Sequence, residues 1–277
     1  MSKRSTRVLA DGFKFLEGPR WRDGELWMAE IGAGEVVAIT AEGKQRSIVT
    51  VPGTPSGIGF LPDGTPLVVS VRERRLMRIK GSSLEQHADL SKMSPFLNDM
   101  VVDRQGRAYV GNFGFDVLKG EASKPGSVIL VQADGKASEV ARDLSGPNGS
   151  VVTSDGHLVV AESFAGRLSS FSIKPDGSLG EATKIPLDGS PDGICLDTEG
   201  GIWVSLFDKN RFVRVLNGKV VDTVETPDRH AIACQLGGAD GKTLFCLTYS
   251  GALEDMGKAP TAQVEVTMVD APAAGSP

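Results

Sequence analysis

Short apolar runs alternate with turn residues along the whole chain, and no stretch shows the three- and four-residue spacing of an amphipathic helix. Six segments share one pattern: a small or polar residue, an apolar run, an Asp-Gly-like turn and a second apolar run. We take the first residue of each pattern as its anchor; the anchors are Glu17, Ser56, Asn98, Asn148, Asp192 and Ile232. Their intervals of 39, 42, 50, 44 and 40 residues are typical of propeller blades.

The turns support the same architecture. Asp63-Gly64, Gln105-Gly106, Asp155-Gly156 and Glu199-Gly200 follow their anchors at the same distance. A tight hairpin needs a positive φ there, and glycine supplies it without a steric cost. A third apolar run and a more polar fourth run complete each repeat. The pattern therefore predicts an all-β, six-bladed β-propeller with four-stranded antiparallel blades.

The ends of the chain differ from the repeats. The sixth repeat lacks a clear fourth strand, whereas residues 5–10 have a strand-like sequence, so we expect the N-terminal segment to complete the last blade. The 34 glycines and 15 prolines are spread among the turns and mark no linker. Residues 1–270 are predicted to form a single propeller domain, and residues 271–277 a flexible C-terminal tail.

Composition limits the partners and the compartment. The first residues lack the apolar run of a secretory signal, and no stretch reaches membrane-spanning length, so we expect a cytoplasmic protein without a membrane partner. A net charge of -5 without a basic cluster argues against nucleic acid. Cys195, Cys234 and Cys246 lie in apolar runs and are expected to be buried free thiols. The oligomeric state stays open.

The polar anchors predict a metal site. Because the innermost strand of every blade lines the central channel, equivalent anchors converge on one axis. Glu17, Asn98, Asn148 and Asp192 would supply two carboxylates and two amide oxygens, a set that suits a hard divalent cation. We favour one Ca²⁺, with Zn²⁺, Mg²⁺ or Mn²⁺ as alternatives. Without a cation, two carboxylates about 5 Å apart would repel each other by roughly 3 kcal/mol at an effective dielectric constant near 20.

A second set of residues predicts a substrate pocket on the same face. Each second strand runs antiparallel to the first, so the residues that close it lie beside the anchors. Many are aromatic, which is typical of a pocket for a small molecule. Asn98 and these closing residues form the predicted substrate contacts: Asn112, Phe113, Phe115, Phe164, Phe207 and Tyr249. Strand alternation is expected to point Asp99 away from the channel, in a structural role, while His230 would lie near the pocket mouth.

Simpler interpretations remain for parts of this set. Asn148 and Asp192 stand in Pro-Asn-Gly and Pro-Asp-Gly, which are also ordinary turn sequences. The sequence contains no GxSxG, P-loop or HExxH motif that would indicate another chemistry. The register that these anchors share with Glu17 and Asn98 favours the metal site over turns alone.

Five motifs resemble the senescence marker protein 30, gluconolactonase and luciferin-regenerating enzyme family, which includes regucalcin. They are LEGPRW at 16–21, NDMVVD at 98–103, GPNG at 146–149, SPDGI at 190–194 and LGGADGKTLF at 236–245. The resemblance implies a six-bladed propeller with one divalent metal, Glu17, Asn148 and Asp192 as principal ligands, Asn98 beside metal and substrate, and Asp192 as the base. Sugar-lactone members carry an arginine where this chain has Phe96, so Phe96 is expected to contact a less polar substrate.

Together these expectations favour a metal-dependent hydrolase, a lactonase that opens a small, rather apolar lactone by metal-assisted attack of water. Asp192 would be the catalytic base. A metal-dependent lyase or isomerase that acts through an enolate at the same site is a second interpretation. A non-enzymatic calcium-binding propeller is a third, because a fold alone does not imply catalysis.

Overall fold

Six four-stranded antiparallel sheets form a closed ring in a computed structural model that describes residues 4–275, apart from the side chains of Leu118 and Leu253. Blade 1 contains β2 (Leu16–Arg22), β3 (Glu25–Glu30), β4 (Glu35–Thr40) and β5 (Gln45–Thr50), and blade 2 contains β6 (Pro55–Phe60), β7 (Pro66–Ser70), β8 (Arg75–Lys80) and β9 (Ser83–Asp89). Blade 3 contains β10 (Leu97–Val102), β11 (Ala108–Asn112), β12 (Gly126–Val131) and β13 (Ala137–Leu144), and blade 4 contains β14 (Pro147–Val152), β15 (His157–Glu162), β16 (Arg167–Ile173) and β17 (Leu179–Pro186). Blade 5 contains β18 (Pro191–Leu196), β19 (Ile202–Leu206), β20 (Arg211–Leu216) and β21 (Lys219–Glu225), and blade 6 contains β22 (His230–Gly237), β23 (Thr243–Tyr249), β24 (Ala262–Met268) and β1 (Arg7–Phe13). The predicted six-bladed β-propeller is therefore confirmed.

The N-terminal strand closes the ring. β1 pairs antiparallel with β24 and is the outermost strand of blade 6, as the sequence predicts, although it spans Arg7–Phe13 rather than residues 5–10. Just before it, Arg4 forms ion pairs with Asp222 of β21 at 2.9 Å and with Asp270 at 2.6 Å. The start of the chain is thus held by its last two blades.

Hairpins between the first and second strands lie at the end of the propeller opposite the anchors. Gly64, Gly106, Gly156 and Gly200 have φ angles between 75° and 87°, and they occupy the four predicted turns. Two of these hairpins are also closed by buried aspartates. Asp103 accepts hydrogen bonds from the backbone N–H groups of Gln105 and Arg107, and Asp197 accepts from those of Glu199 and Gly201. The prediction that glycines with a positive φ form these four turns is confirmed.

Apolar side chains fill the spaces between neighbouring blades. Each innermost strand packs against the innermost strands of the two blades beside it, so the six inner strands enclose one channel. Trp21 of blade 1 stacks on Phe245 of blade 6, with ring centroids 5.0 Å apart, and seals the last junction. Cys195, Cys234 and Cys246 are buried free thiols within this core, as expected.

The C-terminal residues run along the hairpin end of blade 5. The backbone N–H of Thr198 donates to Pro272 O, and that of Ala274 donates to Leu196 O. Within residues 271–275, which the sequence assigns to the tail, Pro272, Ala273 and Ala274 form backbone hydrogen bonds; residues 276–277 lie outside the described part. Among residues 4–275, no helix is long and apolar enough to cross a membrane. The cytoplasmic location stays a prediction.

Candidate active site

The polar anchors lie together at one end of the channel. Glu17, Ser56, Asn98, Asn148 and Asp192 are each the second residue of the innermost strand of their blade. The residue before each anchor pairs with a residue at the end of the second strand, as in Leu97 with Asn112 and Pro191 with Leu206. In blades 2 to 5 the register shifts directly after that pair, whereas in blade 1 Glu17 still pairs with Ala29 and the shift follows it, so every anchor lies in or next to a bulge. All five line one cavity of about 700 Å³.

The sixth anchor needs a correction. His230 pairs with Tyr249 as Pro191 pairs with Leu206, and the residue that follows His230 is Ala231. Ala231 therefore occupies the anchor position, whereas Ile232 lies one residue further, at the irregularity between Ala231 and Ala233. The sequence alignment was one residue out because the apolar run of blade 6 has no polar residue to mark its start. Blade 6 contributes no polar anchor.

Hydrogen bonds orient the two amides of the predicted metal set. Asn148 Nδ2 donates to Ser163 Oγ at 3.2 Å, and Ser163 Oγ donates to Pro191 O at 2.7 Å. Asn98 Nδ2 donates to Pro147 O at 3.3 Å. Because both amide nitrogens are used by the protein, the carbonyl oxygens are left for other partners. Ser163 was missed in the sequence because its only signal is its place next to the residue that closes β15.

Two buried oxygens of the set have no donor. Within the described part of the chain, neither Asn148 Oδ1 nor Asp192 Oδ1 has a hydrogen-bond partner, although both atoms are inaccessible to solvent. An unpaired buried polar atom costs about 1 to 3 kcal/mol, so the two oxygens together beside the cavity call for a partner such as an ion or a water molecule. Oxygens without donors fit a cation and do not fit an anion.

The charges around these oxygens point the same way. Burial, and after it the charge of Asp99, raise the pKa of Asp192 to about 8. Burial, the charge of Asp192 and the charge of Asp99, in that order, raise the pKa of Glu17 well above its usual range. A bound divalent cation would reverse these shifts. No group of three His, Cys, Asp or Glu side chains is positioned for a metal among the described residues, so a cation here needs the amide oxygens as well.

Asp99 does not point away from the channel, contrary to the expectation from strand alternation. Its carboxylate oxygen lies 3.6 Å from Arg20 Nη2 of blade 1, although blade 2 stands between their two blades. Contact across an intervening blade is made through the channel. The alternation rule fails because the register of β10 shifts between Leu97 and Met100, so Asn98 and Asp99 both face inward.

Aromatic rings form one wall of the cavity. Phe96 stacks on Phe113 at a centroid distance of 6.0 Å, and Phe113 contacts Phe164 at 5.6 Å. Phe164 is 52% exposed and lies at the rim over Gly146, where a side chain would collide with its ring. Phe207 and Phe15 also line the cavity. The structure thus brings Phe96, Phe113, Phe164 and Phe207 together beside the anchors.

Three other predicted contacts lie behind the wall. The amide of Asn112 donates to Ser127 and accepts from the Gly114 N–H, so it shapes the loop after β11. Phe115 packs against Phe113 and Phe164 from outside the cavity. Tyr249 is buried and donates its hydroxyl to Ala252 O. His230 stacks on Phe207 at 4.5 Å and likewise does not line the cavity.

Loops supply the lining residues that the repeat pattern did not reveal. They include Phe15, Ile31, Thr54, Val71, Ser190, Met256 and Gly257. Met256 and Gly257 belong to the connection between β23 and β24, and Gly257 approaches Gly32 of blade 1 so closely that a side chain on Gly32 would meet its carbonyl. Arg72 is the one cationic side chain among the described lining residues, and it is exposed. Most of these positions lie in loops outside the recurring strands, so the register of the repeat could not predict that they line the cavity.

Comparisons with known proteins identify the family of the chain. The family model for the SMP-30/gluconolactonase/LRE-like region matches residues 15–250. The chain is 25% identical to the 6-deoxy-6-sulfogluconolactonase of Pseudomonas putida, covering 83% of this chain and 81% of that protein. It is 22% identical to the regucalcin of Xenopus laevis, covering 90% and 87% respectively.

A solved structure shows the same fold. The calcium-binding protein regucalcin of Agrobacterium tumefaciens superimposes with a TM-score of 0.83, at 21% identity, over 100% of this chain and 99% of that one. The relatives' names support lactonase activity at the level of the family. Since the family model covers most of its length, the chain belongs to the SMP-30/gluconolactonase/LRE-like family.

Proposed function

We propose that this protein is a metal-dependent lactonase that opens a small, rather apolar lactone by attack of water. The observation that carries the proposal is the pair of donorless oxygens, Asn148 Oδ1 and Asp192 Oδ1, at a cavity walled by phenyl rings. The unpaired oxygens support a cation site, and the rings support an apolar substrate beside it.

Glu17, Asn98, Asn148 and Asp192 are the residues that would hold the cation. The all-oxygen set suits Ca²⁺, with waters or substrate as further ligands. The calcium-binding regucalcin structure shares the fold and supports this choice. When bound, the cation supplies Lewis acidity to the lactone carbonyl and to the oxyanion that develops from it. Zn²⁺ usually takes His or Cys ligands, and no anchor is either.

Asp192 would accept the proton of the attacking water. It is buried beside the cavity, and one of its oxygens has no protein donor. Water adds to the carbonyl carbon, the ring C–O bond breaks, and the proton ends on the leaving alkoxide or phenoxide to give a hydroxy acid. Glu17 contributes charge. Asn98 and Asn148 contribute carbonyl oxygens, and the amide nitrogen of each donates a hydrogen bond within the protein, to Pro147 O and to Ser163 Oγ respectively.

The phenyl wall would select the substrate. A sugar lactone places several hydroxyls against rings that offer no hydrogen bond, at a cost of roughly 1 to 3 kcal/mol for each desolvated group. An alkyl or aryl lactone gains about 25 cal/mol for each Å² that the rings cover. Phe96 is central to this preference because its ring is 7% exposed, lies in the lining and stacks on Phe113.

Incubation of the metal-loaded protein with a panel of lactones, followed by mass spectrometry, tests the proposal. We expect the product to gain one water molecule, and the Asp192→Asn variant to form this product at least ~1000-fold less efficiently. A product of unchanged mass and altered retention would instead support isomerisation at the same site. No conversion of any lactone would favour a non-enzymatic calcium-binding role and would contradict the proposal.

A further inference from the structure

Asp99 occupies a position that is glycine in four of the other five blades. The residue after the anchor is Gly18 in blade 1, Gly57 in blade 2, Gly149 in blade 4 and Gly193 in blade 5. In blade 3 this residue is Asp99, which is buried. A Cβ on Gly57 would lie 2.7 Å from Asp99 Oδ1. The missing side chain at Gly57 therefore lets the Asp99 carboxylate pass over blade 2.

Arg20 of blade 1 meets this carboxylate. Its Nη2 lies 3.6 Å from Asp99 Oδ1, and the two side chains are 12% and 5% exposed. The same nitrogen donates to Met100 O at 2.5 Å, while Nη1 donates to Pro19 O at 2.8 Å. These backbone contacts fix the guanidinium in the channel next to the anchors. Arg20 also acts electrostatically on Glu17, which places its charge within reach of the predicted cation site.

The charges in this part of the channel can be counted. Glu17, Asp99 and Asp192 contribute three negative charges when ionised; Asp99 and Asp192 act on Glu17, and Asp99 acts on Asp192. Arg20 contributes one positive charge, so the four side chains together carry three minus one, that is two, negative charges. This net charge matches one divalent cation. Without Arg20 the buried set would retain an uncompensated charge beside a bound divalent cation.

We propose that Arg20 is a positioning residue that neutralises Asp99 across the channel and thereby sets the charge that the anchors present to the cation. The inference rests on the proposed metal site, but not on the lactonase reaction. It requires the two residues to act on metal affinity in opposite directions. Arg20 weakens cation binding by its own charge, and Asp99 strengthens it.

Calorimetric titration of Ca²⁺ into four variants tests this directly. Arg20→Gln keeps an amide donor for Met100 O but removes the charge, and should bind Ca²⁺ at least ~10-fold more tightly than the natural protein. Asp99→Asn should bind at least ~10-fold more weakly. The double variant, whose net charge is again two, should return to within about 3-fold of the natural affinity. Arg20→Lys, which keeps the charge, is the matched control and should stay near the natural affinity.

A purely structural role gives a different result, because both single variants would then weaken Ca²⁺ binding and the double variant would not recover. That pattern would overturn the inference. An Arg20→Gln variant of unchanged or lower Ca²⁺ affinity would also overturn the inference, as would an Asp99→Asn variant of unchanged or higher affinity. If Arg20→Gln does not fold, the affinity of Asp99→Asn still decides. If the natural protein gives no binding heat with Ca²⁺, Mg²⁺ or Mn²⁺, the proposed metal site itself is contradicted. Failure to hydrolyse lactones would leave the charge relation standing.

Discussion

Two buried carboxylates in neighbouring blades have opposite surroundings. Glu162 at the end of β15 accepts a backbone N–H from Ser145, two bonds from the Arg167 guanidinium and one from the Ser169 hydroxyl. Asp192, the second residue of β18, has one oxygen without any donor among the described residues and shares its end of the channel with Asp99 and Glu17. Both residues are acidic and buried, yet only Glu162 is fully matched by the protein.

The pKa values follow this difference. Although burial acts to raise it, hydrogen bonds from Arg167 and Ser169 hold the pKa of Glu162 below its ordinary value. Burial and the charge of Asp99 raise that of Asp192 to about 8. A carboxylate whose partners are all supplied by the chain has a structural role, since it holds two strands and a loop together. A buried carboxylate that has one oxygen without a donor and other carboxylates nearby is stabilised by a proton or a cation.

Removal of the Asp192 charge should have the largest functional effect. Asp192→Asn loses both a metal ligand and the base, so we expect kcat/KM for an aryl lactone to fall at least ~1000-fold, or about 4 kcal/mol. The metal-free variant should nevertheless be more stable than the natural protein at pH 8, because the repulsion with Glu17 and Asp99 is removed. Steady-state kinetics and urea unfolding with a chelator measure the two effects. An active variant, or one destabilised without metal, would contradict this role.

Removal of the Glu162 charge should destabilise the fold and leave metal binding unchanged. Glu162→Gln leaves the Arg167 guanidinium without its carboxylate, and breaking such a buried pair costs about 3 kcal/mol of unfolding free energy. The affinity for Ca²⁺ should stay unchanged, because Glu162 does not line the cavity. Urea unfolding and calorimetry check both. The Glu162→Gln/Arg167→Gln double variant is the control and should recover part of the lost unfolding free energy. A large change in the Ca²⁺ affinity of Glu162→Gln would contradict the distinction between the two carboxylates.

The pH dependence of stability in the metal-free protein should further distinguish Asp192 from Glu162. Asp192 has a raised folded-state pKa, so its contribution to stability is fully present below about pH 4 and is lost as pH rises to about 8. Glu162 has a lowered pKa, so its contribution is present at neutral pH and is lost as pH falls below 4.5. Between pH 5 and pH 8 we expect Asp192→Asn to gain about 4 kcal/mol relative to the natural protein in urea unfolding, at about 1.4 kcal/mol for each pH unit. Parallel stability curves for the two proteins would refute the assignment.

The smallest expected effect concerns the preference of the enzyme for aryl lactones over sugar lactones. The catalytic efficiency for an aryl lactone such as dihydrocoumarin should exceed that for glucono-1,5-lactone by at least ~10-fold, which is about 1.4 kcal/mol in barrier height. Phe96→Arg should narrow the ratio, because a guanidinium can bind the sugar hydroxyls, while Phe96→Leu keeps an apolar wall and should not. Equal efficiencies in the natural protein would show that other side chains, such as Arg72 at the rim, recognise the hydroxyls.

The fold and the axial oxygens could be predicted because both repeat. A shared register brings Glu17, Asn98, Asn148 and Asp192 to one end of the channel, and the sequence shows that register directly. The features that were missed depend on departures from regularity. The bulge at the anchors turns Asp99 inward against the alternation rule, and the apolar start of blade 6 hides that Ala231 holds its anchor position.

Residues beyond the repeats were hidden for another reason. Met256 reaches the cavity from a connecting loop, and Ser163 acts through a hydrogen bond to Asn148 that no spacing reveals. Aromatic residues at the ends of second strands were predicted as one set, yet Phe113 lines the cavity while Tyr249 supports it from behind. Side-chain direction within a bulge or a loop depends on tertiary packing, which the order of residues does not state.

Anomalous diffraction from crystals soaked in Ca²⁺ tests the central claim most directly, because it locates the cation whatever the substrate is. We predict one peak per chain at the anchor end of the channel, with oxygens of Glu17, Asn148 and Asp192 at about 2.3 to 2.6 Å and Asn98 adjacent. Crystals of Asp192→Asn should lack the peak or show it much weakened. The account would be contradicted by a peak elsewhere, or by no peak in a protein that still opens lactones in the presence of a chelator.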